Sequence, residues 1–181
     1  MDAQVIVTWQ SGDVGVAGEV LSRDGWQALR DVSEWRIRER SFFGDVTLRV
    51  GDTEFRFQRA AIVDFIIMSW RFGLEQLALR SQGRVELADN GEQVSLFCDA
   101  STVILSSPYD QRSASCLFVD LLAAILRFAQ TALDEVTRAY PDLLVHDLVE
   151  GLFRGLGVRE LGREQYQRHS AAAAKCRSRE T

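Results

Sequence analysis

The stretch RVELADNGEQVSLFC, residues 84–98, decides the fold class. Two strand-like runs, Arg84–Leu87 and Glu92–Cys98, flank the tripeptide Asp89-Asn90-Gly91. Asn-Gly takes positive φ at both turn positions at little cost, so the segment predicts an antiparallel hairpin. Thr102–Ser106 reads as a third strand, ended by Pro108, which makes the unit a meander.

Helices flank this meander on both sides. Upstream, Ile62, Val63, Ile66, Ile67, Trp70, Leu74 and Leu77 recur at helical spacing and predict a helix over residues 60–79. Its polar stripe is only Asp64, Arg71 and Glu75, so the helix should be buried over most of its girth. A carboxylate in such a helix needs a partner. Arg71, seven residues on and on the same stripe, is the candidate, which makes Asp64 and Arg71 a structural polar pair. Downstream, Ser115 is a fair N-cap for a helix over residues 116–140, with Leu117, Leu121, Ala124, Ile125, Phe128, Ala132 and Val136 on its inner face. Pro141 breaks it and opens a shorter amphipathic helix, 142–156, that stops in Gly155-Leu156-Gly157.

The N-terminal third reads mostly as strands. Residues 3–9 and 14–21 are strand-like around the turn Ser11-Gly12-Asp13, and 24–32 reads as a short helix. Residues 35–42 alternate as a strand, and Val46–Val50 and Glu54–Phe57 form a hairpin about Gly51-Asp52-Thr53. Strands grouped apart from helices predict an α+β fold: an antiparallel sheet of about six to eight strands, covered on one face by three main helices. Residues 1–157 make one domain; 158–181 make a basic tail, frayed or disordered.

Charge separates the same two regions. Residues 1–157 carry 15 basic and 23 acidic side chains, a formal −8, and residues 158–181 carry six and three, +3. An acidic body repels phosphates, which argues against nucleic acid and favours a basic protein partner. No apolar run approaches the roughly 18 residues of a membrane span, and the acidic N-terminus lacks a secretory pattern, so a cytoplasmic location is expected. Cys98, Cys116 and Cys176 are odd in number with no CxxC pair, which fits neither a disulfide framework nor a zinc site.

Catalytic signatures do not assemble. The two histidines, His146 and His169, mark no nucleophile, and no Gly-x-Ser-x-Gly elbow occurs. Gly12, Gly15 and Gly18 precede a strand rather than the helix a phosphate loop requires. No catalytic residue, metal or cofactor is therefore expected. The most notable pattern is arginine. In residues 35–42, Arg36, Arg38 and Arg40 would share one strand face, joined by Arg49 and Arg56 from the hairpin. Arginine forks pair well with carboxylates, so this face is either a docking surface or a solvated outer face that keeps the sheet soluble.

The runs WRIR (35–38), SFFGDVTL (41–48) and VDF (63–65), with the long helix closing in AYP (139–141), resemble small uncharacterised proteins of high-GC bacteria. Those are similar in size and layout to immunity proteins of polymorphic toxin systems. The resemblance spans roughly residues 30–145 and implies a cytoplasmic protein that occludes a cognate toxin. Two other expectations stand beside it. One is a ligand pocket between the sheet and helix 60–79, lined by Asp64, Arg71 or Tyr109. The other is a homo-oligomer formed through the last two helices.

Overall fold

A computed structural model describes residues 4–11, 32–39, 41–87 and 92–155. The expected strand 14–21, most of the helix 24–32, the tip of the Asn90-Gly91 turn and the basic tail lie outside the described residues.

The fold is α+β with antiparallel pairing throughout, and the described strands divide between two sheets. The first has the order β1 (Val5–Ser11), β2 (Phe43–Val50), β3 (Thr53–Ala61). The second is the predicted meander with one more strand: β4 (Gln82–Glu86), β5 (Gln93–Asp99), β6 (Thr102–Ser106) and β7 (Ser113–Leu117). Between them runs one long helical element, α2 (Ile62–Ile67), a π-helical stretch Met68–Glu75, and α3 (Gln76–Arg80). After β7 come α4 (Phe118–Ala139), a 3₁₀ turn Pro141–Val145, and α5 (Asp147–Gly155).

Two readings change. Residues 34–39 are a short helix, α1 (Glu34–Glu39), not a strand. The amides of Arg36 and Ile37 both bond the Ser33 carbonyl, at 3.0 and 3.2 Å, which starts a helical turn. Arginines at i, i+2 and i+4 fit either period over so short a window, and burial of Ile37 decides for the helix. Ser115 is no N-cap either: it lies in β7, paired with Ile104, and α4 opens at Leu117 without a side-chain cap.

The core follows the strand alternation. Val46, Leu48 and Val50 on β2 and Phe55 and Phe57 on β3 are buried, whereas Arg49 and Arg56 point outward. Beyond Phe57 the buried position slips to Ala60, because Asp45 faces two β3 residues in a bulge. Arg59 takes φ of 49° there, and its amide donates to Asp45 Oδ1 at 2.8 Å. Edge-to-face rings then tie the layers together: Phe57 to Phe65 at 5.0 Å, and Phe65 to Phe128 at 5.4 Å.

The π stretch has a side-chain signature. Trp70 Nε1 donates to Glu75 Oε1 at 3.1 Å, an i,i+5 bond that follows the wider π register. The extra residue per turn also rotates Arg71 away from Asp64, so residues seven apart no longer stack. Gly73, in the same stretch, packs on β4 so closely that a Cβ on Gly83 would lie 2.3 Å from its carbonyl oxygen.

Candidate functional site

The five arginines do not form one face. Arg36 is exposed on α1, and Arg40 lies outside the described residues. Arg38 turns inward and donates from Nε and a terminal nitrogen to Asp64 Oδ1, at 3.3 and 2.8 Å. The partner of buried Asp64 is thus Arg38, twenty-six residues upstream, and Arg71 is exposed. Arg49 and Arg56 do share the outer face of the β2–β3 hairpin. Glu54 stands opposite Arg49 and accepts from Arg56 at 3.0 and 2.6 Å. Its carboxyl is held below the usual range, first by that hydrogen bond, then by the charge of Arg56 and the field of Arg49. The carboxylate shields both arginines, and the pair is solvated.

Other reactive side chains are occupied or inert. His146 is buried as the N-cap of α5: its Nδ1 accepts from the Leu148 amide at 3.2 Å. Nε2 therefore carries the proton, and it donates to the Val32 carbonyl at 2.9 Å. Both nitrogens serve the backbone. Cys116 lies buried on β7, and burial followed by the field of Asp120 raises its thiol to about 12. Such a thiol is protonated at neutral pH and is no nucleophile. No group of three metal-ligating side chains occurs among the described residues.

Among the described residues, a cavity of about 10 Å³ lies beneath helix 60–79, and Asp64, Arg71 and Tyr109, expected to line a pocket there, do not line it. Its walls are Leu48, Phe57, Phe65, Leu121 and similar residues, with the hydroxyl of Ser69 as an unpartnered polar atom. A drug-sized ligand needs roughly 300 Å³ or more, so this is packing space.

A sizeable concavity lies elsewhere. A groove of about 670 Å³ runs between β1 and α4. Gln4 and the first four residues of β1, 5–8, form one wall; Ala123, Ala124, Phe128 and Ala132 form the apolar part of the other. Asp120, Arg127 and Glu135 line the α4 side, and none makes an ion pair among the described residues. Among the described residues, no strand pairs with β1 on the side away from β2.

The register says which β1 groups face the groove. Val5 pairs with Val50, and the Gly51 amide bonds the Gln4 carbonyl at 3.0 Å. Bonded and non-bonded pairs alternate in an antiparallel ladder, so Gln4, Ile6 and Thr8 bond β2, while Val5 and Val7 direct N–H and C=O outward. Sequence reasoning identified the inner face of α4 but not the groove. The signal was present in Ala123, Ala124 and Ala132, small residues on a face otherwise built from Leu, Ile and Phe.

Comparison with known proteins finds no matching family model, no similar curated protein and no similar solved structure. Among the described residues, no helix is long and apolar enough to cross a membrane.

Proposed function

We propose that this chain is a non-catalytic protein-binding module, and more specifically an immunity-type inhibitor that occludes a cognate bacterial toxin in the cytoplasm. The observation that carries the binding reading is the groove between β1 and α4, where apolar walls stand beside the charged side chains Asp120, Arg127 and Glu135. The finer assignment draws on the resemblance of residues 30–145 and on the formal −8 of residues 1–157, which would steer a basic toxin domain into contact. A specific complex buries about 1,600 Å² in total, well within the surface of a chain this size.

Homo-oligomerisation through the last two helices has less support. Leu121, Ile125, Phe128, Val136, Val149 and Phe153, the apolar residues such an interface would use, are buried within the chain.

Co-expression with the product of the adjacent gene tests the proposal. The expected result is a neighbour that is toxic alone, harmless beside this chain, and co-purified with it. A neighbour that stays lethal, or that is no toxin, removes the inhibitor assignment.

A further inference from the structure

We infer that two copies of this chain associate face to face through the outer side of the second sheet, about a two-fold axis that runs along the strands between β5 and β6. Strand alternation turns Val85, Leu96, Cys98, Val103 and Leu105 to the buried side. On the other side, Phe97 of β5 stands directly opposite Ile104 of β6, and the two are 46% and 40% exposed. An apolar pair at the middle of a four-stranded face is the kind of centre on which interfaces are built.

Shape identifies the occupant as a second copy. The outward residues form rows across the strands: Gln82, Phe97, Ile104 and Ser115 in one, Arg84, Ser95, Ser106 and Ser113 in the next. Long side chains stand on β4 at one side of the face, and serines stand on β7 at the other. The axis exchanges β4 with β7 and β5 with β6, so each row lies over its own reverse. Gln82 then meets Ser115 of the second copy, Arg84 meets Ser113, and Phe97 meets Ile104. Two sheets packed about 10 Å apart interdigitate when long residues face short ones. An axis across the strands would instead set Phe97 on Phe97 and Gln82 on Gln82.

Charge favours the same occupant. Residues 1–157 carry a formal −8, so two copies repel over most of their surface. This face is close to neutral: Arg84 pairs with Glu86 at 3.0 Å, which leaves Asp99 as the other charge on the outward side of β4–β7. The axis lays Asp99 over Thr102, its ladder neighbour, and not over a second acid. Four strands about 4.8 Å apart and about five residues long give a footprint of roughly 20 by 17 Å, at the small end of specific interfaces. The association is therefore weak, with a dissociation constant on the order of 100 µM. It uses neither of the last two helices and does not depend on the inhibitor reading.

Sedimentation of the full chain, over a series from about 10 µM to about 1 mM, tests this. We expect a reversible monomer–dimer equilibrium that tightens with added salt, because salt screens the repulsion between two acidic bodies. Phe97→Lys and Ile104→Glu, both at exposed positions, should each weaken it about a hundredfold, since the axis uses each side chain twice. An equimolar mixture of those two variants should associate again, because the introduced opposite charges meet on one side of the axis and Phe97 meets Ile104 on the other. Phe97→Thr and Ile104→Thr keep β-branched residues in the strands and give the same loss if a charged variant fails to fold. A chain that stays monomeric throughout the series overturns the inference. So does a dimer indifferent to all four substitutions, which would place the contact on another face. A mixture that stays monomeric while the unaltered chain dimerises overturns the axis.

Discussion

Arg38 places two nitrogens on a single carboxylate oxygen, Asp64 Oδ1, and so joins the short helix α1 to the buried start of α2. The pair is unequal: the Asp64 side chain is 12% exposed and that of Arg38 30%. Removing Arg38 strands a carboxylate in an apolar helix, whereas removing both groups strands nothing. Arg38→Leu should therefore cost about 2 kcal/mol, discounted for its partial exposure, and Arg38→Leu with Asp64→Leu should cost less than the single change. Arg71→Ala should stay within about 0.5 kcal/mol. Urea titration of the four proteins checks this, and a costly Arg71→Ala would refute the pairing.

His146 performs two separable tasks, capping α5 and holding the Val32 carbonyl. Asparagine is a good N-cap but is too short to span both contacts. His146→Ala should lose about 2 kcal/mol and His146→Asn about half of that. Equal losses in thermal or urea unfolding would show that the cap contributes nothing.

The Cys116 thiol, raised to about 12, makes alkaline pH destabilising. The folded state keeps a proton that the unfolded state releases above about 8.5, so stability is full below that value and falls as pH rises towards the folded pKa. The decline approaches about 1.4 kcal/mol per pH unit in that window. Cys116→Val should flatten the slope between pH 9 and 11 (roughly, from the ordinary thiol value). Identical slopes in the two proteins would show that the thiol does not contribute.

Two glycines should respond in opposite directions. Gly83→Ala sets a Cβ against the Gly73 carbonyl, a backbone atom that cannot swing aside, and should cost about 3 kcal/mol or more. Gly151 lies within α5 with open space where a Cβ would sit, so Gly151→Ala should stabilise by about 0.5–1 kcal/mol. Melting temperatures of the two variants check both signs.

Much of the architecture was legible where one residue pattern had one physical solution. The strands on either side of Asn90-Gly91 pair antiparallel, with Val85 opposite Val94, as their alternation predicts. The β2–β3 hairpin turns at Gly51, whose φ of 57° suits glycine. Helix α4 matches its predicted inner face from Leu121 to Val136. Residues 35–38 misled because six residues carry too little periodicity to separate a strand from a helix. Ser113–Leu117 escaped notice because its serines and alanine carry no strand signal of their own; pairing with β6 makes them β7.

Local pattern thus determined the α+β class, the meander and the long helices, since period, turn residues and breakers act between near neighbours in the chain. Tertiary structure alone decided that Asp64 meets Arg38 instead of Arg71, that helix 60–79 widens into a π stretch, and that β1 borders a groove. Each of these depends on which distant segments pack together, and side-chain spacing carries no record of a neighbour twenty-six or a hundred residues away.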